Sequence, residues 1–198
     1  NLDLSNNLIE ILKEGAFNGL FNLNKLEIKS NSLKQIQKYT FRDLNKFMPL
    51  PYFELDSQRI ENLDSFAFNG LSNLISLSIS KNMIRILKNN SFNGLKSLSY
   101  LNLENNKIDT IESEAFLGLD NLAFLDLNYN KLFEIKRVIF KDLKNLEHLY
   151  IQNTNVKFIE VNLITEIKKI KYFYLSNNKL QLINNFNIKD IVNLELLN

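Results

Sequence analysis

The sequence is built from one pattern that recurs every 24 residues, with a single step of 27. Each copy begins on a large apolar residue, called here the opening residue, and a second apolar residue follows two positions later. The opening residues are Leu2, Leu26, Phe53, Leu77, Leu101, Leu125, Leu149, Phe173 and Leu197. A short, regular repeat predicts a stack of similar units, each in contact mainly with its neighbours. We therefore expect one repeat domain over residues 1–198, with about eight repeats.

The start of each repeat alternates apolar and polar residues, as in Leu101-Asn102-Leu103. Alternation at a period of two predicts a strand with one buried face. Strands from successive repeats should lie side by side and form a parallel sheet along the stack.

The position five residues after the opening residue is nearly always an asparagine. In chain order it is Asn7, Asn31, Gln58, Asn82, Asn106, Asn130, Thr154 and Asn178. Where the chain turns out of the strand, a carboxamide can satisfy inward-facing backbone donors and acceptors. We expect stacked copies to form a ladder, with local irregularity at Gln58, which is longer, and at Thr154, which lacks the amide donors.

The position fifteen residues after the opening residue is aromatic in most repeats. It is Phe17, Phe41, Phe68, Phe92, Phe116 and Phe140, and then Ile164 and Ile188. Stacked phenylalanines predict a buried spine on the convex side, with a change of shape in the last two repeats. The connections there are short, so we expect brief helical or 3₁₀ turns.

Two motifs carry a resemblance to a known family. Residues 98–108 read L-x-x-L-x-L-x-x-N-x-I, and A-F-x-G-L or a close variant recurs at 16–20, 67–71, 91–95 and 115–119. With the 24-residue spacing, these motifs resemble the typical repeats of animal extracellular leucine-rich repeat proteins, such as Toll-type receptors and Slit-like proteins. The expected fold class is an α/β repeat solenoid: a horseshoe with a parallel β-sheet on its concave face and short 3₁₀ or irregular turns on its convex face.

The resemblance also implies a function, that of a ligand-binding ectodomain segment of a cell-surface receptor or adhesion protein. The implied location is extracellular or at the cell surface, and the implied partner is a protein ligand or co-receptor. Such ectodomains usually carry cysteine-stapled caps, and this chain has no cysteine. That fits an internal fragment truncated at both ends, or the alternative of a cytoplasmic scaffold or adaptor built from the same repeats.

The 27-residue repeat contains both prolines of the chain, Pro49 and Pro51, within the segment FMPLPYF at 47–53. Proline cannot donate a hydrogen bond to a sheet. One interpretation is a tolerated three-residue bulge where the strand starts, because loops absorb insertions readily. The other is a protruding loop that contacts a ligand.

The composition argues against catalysis. His148 is the only histidine, so a Ser-His-Asp arrangement would depend on that one side chain, and no phosphate-binding glycine motif occurs. We expect no enzymatic activity, no metal site and no cofactor. No apolar run approaches the length of a membrane span, so none is expected in this segment.

A nucleic-acid partner is not favoured by the charge, because 24 basic and 22 acidic residues give a net charge of only +2. A receptor for nucleic acid or glycan ranks third among the functions considered. It would need basic residues among the aromatic ones, and few are present.

Candidate binding residues lie on the predicted concave face. Side chains one position before the opening residue, and one and three positions after it, should project from the sheet away from the core. The aromatic candidates there are Tyr100, Phe124, His148, Tyr150, Tyr172 and Tyr174, with Tyr129 near the strand end. Copies in adjacent strands should lie about 4.8 Å apart and form a continuous ladder. Exposed, clustered aromatics favour an interaction site, although the alternative is that they only stabilise the sheet.

The amino-terminal part of the same face is acidic. Its charged residues are Asp3, Glu27, Glu54 and Asp56, interspersed with Lys25 and Lys29. Glu54 and Asp56 complete the candidate partner-binding set, with simple solvation as the alternative. A partner with a basic end and an apolar end would match this gradient.

One glycosylation sequon is present, at Asn89-Asn90-Ser91. Asn89 is therefore a candidate for a glycan on an outer connection.

Overall fold

The computed structural model describes residues 1–20, 22–23, 25–42, 44, 50–160, 162–181 and 196–197. Its strands are short. In chain order they are β1 (Leu2–Asp3), β2 (Ile11–Leu12), β3 (Leu26–Glu27), β4 (Gln35–Ile36), β5 (Tyr52–Glu54), β6 (Asn62–Leu63), β7 (Ser76–Ser78), β8 (Ile86–Leu87), β9 (Tyr100–Asn102), β10 (Thr110–Ile111), β11 (Phe124–Asp126), β12 (Glu134–Ile135), β13 (His148–Tyr150), β14 (Phe158–Ile159), β15 (Tyr172–Tyr174) and β16 (Leu196–Leu197).

The strands that carry the opening residues form the concave sheet. Seven of them, β5, β7, β9, β11, β13, β15 and β16, make one parallel sheet, and β1 pairs with β3 separately. The register aligns equivalent positions of successive repeats, so that Leu125 pairs with Leu101 on one side and Leu149 on the other. The predicted solenoid with a parallel concave sheet is therefore confirmed.

The two parts of this sheet meet at the 27-residue repeat. Residues 45–49, which include Pro49, lie outside the described residues, so both interpretations of the insertion stay open. Across the insertion, the rings of Phe41 and Phe68 remain stacked with centroids 5.9 Å apart. The extra residues therefore leave the aromatic spine continuous.

Short strands also run along one flank of the stack, as the parallel sets β2–β4–β6, β8–β10 and β12–β14. On the convex side, 3₁₀ helices occupy Arg137–Phe140 and Leu163–Thr165. No helix within the described ranges has the length and apolar character needed to cross a membrane.

The core lies between the concave sheet and the convex turns. The seven opening residues from Leu26 to Phe173 are all buried. Behind them, rings from Phe17 to Phe116 stack with centroid spacings of 5.8 to 6.0 Å, which confirms the predicted spine for these five rings. Phe140, the next residue of the column, is also buried. The side chain of Ile164 and the whole of Ile188, where the spine was expected to change, lie outside the described residues.

The asparagine column forms the expected ladder. Asn106 Oδ1 accepts the backbone N–H of Ile84 at 3.1 Å, and its Nδ2 donates to the carbonyl of Ile79 at 2.9 Å. Both of those partners belong to the preceding repeat, while a third bond, to Leu103 O at 3.1 Å, closes the turn of its own repeat. Asn31, Asn82, Asn130 and Asn178 make the same set of bonds. Each carboxamide therefore links two repeats through otherwise unsatisfied backbone groups.

The two exceptional residues behave differently from each other. Gln58 reaches the same kinds of partner, donating to Ile28 O at 2.9 Å and accepting from the Leu33 N–H at a longer 3.4 Å. Thr154 has no amide to offer the preceding repeat, and its hydroxyl donates instead to Asn178 Oδ1. The irregularity is slight at Gln58 and is a break in the ladder at Thr154.

Replacing Thr154 with asparagine should restore the ladder. The new carboxamide can accept the N–H of Leu132 and donate to the carbonyl of Leu127, the groups equivalent to the partners of Asn106. Thr154→Asn is expected to raise the free energy of unfolding by about 1 kcal/mol in urea denaturation, since the lost hydroxyl bond offsets part of the gain. The reciprocal Asn106→Thr should lower it by about 2 kcal/mol. A destabilising Thr154→Asn would show that this turn cannot accept the carboxamide.

Candidate functional site

The sheet register brings six of the predicted aromatic side chains together on the concave face. Phe124 pairs with Tyr100 on one side and His148 on the other, and His148 pairs with Tyr172. Two positions further along the strands, Tyr150 pairs with Tyr174. These six residues, Tyr100, Phe124, His148, Tyr150, Tyr172 and Tyr174, are called the aromatic face from here on.

The rings of the aromatic face pack directly on one another. Centroids are 4.5 Å apart for Tyr100 and Phe124, 4.6 Å for His148 and Tyr172, and 4.5 Å for Tyr150 and Tyr174, with interplanar angles of 14° to 17°. Phe124 joins the two rows, because its ring also lies 4.9 Å from Tyr150 and 5.8 Å from His148. The six rings thus form one contiguous, half-buried surface.

Burial affects the hydroxyl groups of this surface. Desolvation is the main cause that raises the pKa of Tyr100 and of Tyr150, with neighbouring groups adding to it. Both phenols therefore stay neutral and able to donate hydrogen bonds at physiological pH.

Tyr129, the seventh aromatic candidate, stands apart at the end of β11. It is 53% exposed, and its backbone is left-handed with φ of 53°. Every repeat is left-handed at this position, four residues after the opening residue. The residues are Asn6, Ser30, Ser57, Lys81, Asn105, Tyr129, Asn153 and Asn177. Asparagine tolerates this conformation better than a bulky aromatic residue does, so Tyr129 holds local strain.

The acidic candidates lie towards the amino-terminal end of the face and have different partners. Glu54 on β5 is exposed and forms an ion pair with Lys29 at 2.5 Å. Asp56 is half-buried, and its Oδ1 accepts from Ser78 Oγ and from the Ser80 backbone N–H, both at 2.7 Å. Strands β7 and β9 separate these two residues from Phe124.

The structure also identifies Asp126, which sequence reasoning did not select. It lies next to Asn102 and Tyr150 in the sheet, and burial raises the pKa of its carboxyl to about 6, with Glu104 adding to the rise and a hydrogen bond from the Asn128 N–H opposing it. Its position directly after Leu125 already placed it in the column of Tyr150 and Tyr174. The extent of its burial depends on side-chain packing, which the sequence does not reveal.

His148 lies between Phe124 and Tyr172, in contact with both rings. Among the residues that the structure describes, no three His, Asp or Glu side chains are grouped so that they could hold a metal ion.

The glycosylation candidate Asn89 is half-buried on the outer connection. Its side-chain Oδ1 accepts the backbone N–H of Glu114 at 2.8 Å, which ties it to the next repeat. Ser91 of the same sequon is fully buried, and its hydroxyl has no hydrogen-bond partner in the described structure. Glycosylation of Asn89 stays a prediction.

The sequence and the fold of this chain are similar to those of known proteins. A family model described as leucine rich repeat matches residues 1–48, 49–108, 87–132, 100–156 and 124–180. Toll-like receptor 3 of Bos taurus is 36% identical over 87 residues, which cover 43% of this chain and 9% of that receptor. A crystal structure described as a TLR13–ssRNA13 complex matches 94% of this chain and 26% of that chain, with a TM-score of 0.83 and 29% identity. The chain thus spans a minor part of the length of these relatives.

Asp126 should make stability depend on pH. The unfolded carboxyl has a pKa of about 3.9, and the folded value is higher, so the folded state disfavours the charged form. The resulting cost is absent below about pH 4 and complete above about pH 6. Asp126→Asn is expected to raise the free energy of unfolding by about 1–2 kcal/mol at pH 7.5, after allowance for partial solvent screening, and to have no effect near pH 3.5.

The preceding repeat provides the control for this substitution. Asn102 Oδ1 accepts the Glu104 N–H at 2.9 Å, as Asp126 Oδ1 accepts the Asn128 N–H at 2.8 Å. Asparagine therefore preserves the local geometry, and the reciprocal Asn102→Asp should introduce a pH dependence of the same sign. A gain for Asp126→Asn that is equal at both pH values would contradict the electrostatic explanation.

Relief of backbone strain should make Tyr129→Asn stabilising. Asparagine is already present at the equivalent left-handed positions 6, 105, 153 and 177. The expected gain is about 0.5–1 kcal/mol in thermal or urea unfolding. Asn105→Tyr is the matched control and should lose a similar amount. If Tyr129→Asn is destabilising, the tyrosine ring contributes packing that outweighs the strain.

Proposed function

Because the chain belongs to the leucine-rich repeat family, we propose that it is a non-enzymatic recognition module that binds a protein ligand or co-receptor through its concave face. The single observation that carries the proposal is the aromatic face. Tyrosine and phenylalanine provide large contact areas with few rotatable bonds, which is why aromatic residues anchor many protein interfaces.

The packing of the aromatic face supports a binding role in a second way. The six rings are held by one another and by the sheet beneath them, with centroid spacings of 4.5 to 5.8 Å. A partner therefore meets side chains that have already lost most of their rotational freedom. Such pre-organisation lowers the entropy cost of association.

The similarity to Toll-like receptor 3 and to TLR13 supports an ectodomain segment of a cell-surface receptor or adhesion protein. The alternative is a cytoplasmic scaffold or adaptor with the same concave face. Mass spectrometry of the natural material can detect a glycan on Asn89, which only the receptor or adhesion protein could carry. An attached glycan would exclude the cytoplasmic alternative.

A nucleic-acid ligand is the second candidate, because the TLR13 structure is described as a complex with ssRNA13. In this chain, four exposed basic residues lie in one column on the flank, six residues after the opening residue. They are Arg59, Lys107, Lys131 and Lys179. RNA bound there would weaken steeply with added salt and would lose affinity in Lys107→Ala and Lys131→Ala.

The protein-binding proposal is tested by selecting binders from a random peptide library displayed on phage, with the protein immobilised. Most selected peptides are expected to bind the double variant Phe124→Ala/Tyr150→Ala at least about tenfold more weakly, because truncation of central aromatic anchors typically costs more than 1 kcal/mol. Affinities are measured by biolayer interferometry with synthetic peptides.

Phe133→Ala is the matched control, since Phe133 is an exposed aromatic on the flank, 47% accessible and outside the aromatic face. Selected peptides should bind this variant as they bind the original protein. Peptides that bind the double variant Phe124→Ala/Tyr150→Ala with unchanged affinity but bind Phe133→Ala more weakly would overturn the choice of the concave face as the binding surface.

A further inference from the structure

The column of aromatic residues on the concave face has one gap. One position before the opening residue, successive strands carry Tyr52, Ser76 and Tyr100, and the sheet register aligns all three. Two strand spacings separate the tyrosines, which is about 9.6 Å. A flat group in van der Waals contact with a ring on each side needs about 7–8 Å. The gap at Ser76 is therefore wide enough for one planar side chain.

The floor of the gap is made of small residues. On the concave face the repeat of β7 carries Ser76, Ser78 and Ser80, and the first two are only half-buried. Asp56 lies further along the strands, where its Oδ1 is held by Ser78 Oγ and the Ser80 N–H, two and four positions beyond Ser76. Its other carboxylate oxygen accepts no hydrogen bond from any described residue. Because Ser78 lies roughly 7 Å from Ser76 along the strand, a long donor that lies between the two tyrosines and extends towards Ser78 can reach this oxygen.

Negative charge concentrates around the gap. Burial is the main cause of the raised pKa of Tyr100. The charges of Asp126, Asp56 and Glu104 are the further causes, so all three carboxylates act on this ring. None of them forms an ion pair with another described residue. At the amino-terminal end, Lys25 pairs with Glu27 at 2.8 Å and Lys29 pairs with Glu54 at 2.5 Å. The hydrogen bond to Glu54 is the main cause of the raised pKa of Lys29, and the charge of Asp56 is a smaller one.

We propose that this gap between Tyr52 and Tyr100, with Asp56 beside Ser78 further along the strands, binds the guanidinium group of an arginine side chain on the protein partner. The proposal rests on the protein-binding function proposed above and adds the chemistry of one contact. A guanidinium is planar, stacks on aromatic faces and donates two parallel hydrogen bonds to a carboxylate. A lysine ammonium lacks the plane, and a phosphate group would be repelled by the three carboxylates.

The test uses nuclear magnetic resonance with the isotope-labelled protein and a nine-residue glycine–serine peptide that carries one central arginine. A second peptide replaces arginine with citrulline, which has the same shape but no charge. At millimolar concentrations the arginine peptide should shift the ring signals of Tyr52 and Tyr100. The citrulline peptide should bind at least about tenfold more weakly, because it forms neither the cation–π contacts nor the ion pair.

Two substitutions locate the binding position. Ser76→Phe fills the gap with the residue type found at 124 and should abolish arginine-dependent shifts. Ser72→Phe, the same change at an exposed convex turn, should leave them intact. Asp56→Asn keeps the acceptor for Ser78 and Ser80 but removes the charge, so it should weaken arginine binding about tenfold.

The outcomes separate this inference from the proposed function. Equal binding of the arginine and citrulline peptides, unchanged binding in Ser76→Phe, or no shifts at millimolar arginine peptide would each overturn the arginine site. The protein-binding function would still be supported if library peptides bind the Ser76→Phe protein and lose affinity when Phe124 and Tyr150 are also replaced. If a uridine oligonucleotide shifts Tyr52 and Tyr100 while the arginine peptide does not, both the arginine site and the protein-binding preference fail at this surface.

Discussion

The structure depends first on the carboxamide that recurs five residues after the opening residue in every repeat but that of Thr154. Each turn out of the concave sheet buries backbone donors and acceptors that no sheet partner can reach. Asn106 satisfies a donor and an acceptor of the preceding repeat and an acceptor of its own. Because the bonds run between repeats, each carboxamide fixes the position of one repeat on the next.

The fixed register explains why the concave face can be analysed by columns. Residues 24 positions apart become neighbours about 4.8 Å apart, which is close to the contact distance of stacked rings. A tyrosine or phenylalanine repeated in one column therefore stacks without further adjustment, as Tyr100 and Phe124 do at 4.5 Å. A serine in the same column, such as Ser76, leaves a space of defined width. Both the aromatic face and the adjoining gap are consequences of one repeat length.

Properties that depend on column membership could be predicted from the sequence. The strands, the phenylalanine spine, the asparagine ladder and the adjacency of Tyr100, Phe124 and His148 all follow from spacing and residue type. Properties that depend on packing could not. The burial of Asp126 depends on how its neighbours pack, and the strain at Tyr129 depends on a backbone angle that its own side chain does not favour. Gln58 reaches both of its partners in the preceding repeat despite its longer side chain, which sequence spacing alone does not indicate.

The charges of the concave face bear on the kind of partner that fits it. Six carboxylates and two lysines face this surface, although the whole chain has a net charge of +2, so the basic residues are concentrated elsewhere. The six are Asp3, Glu27, Glu54, Asp56, Glu104 and Asp126. Holding Asp126 half-buried beside Glu104 costs folding free energy, and a cation brought by a partner would recover part of that cost on binding. An anionic partner would add to the repulsion here but would find exposed lysines along the flank. The two ligand classes therefore favour different faces of the same solenoid, and the distribution of charge favours a basic protein segment on the concave side.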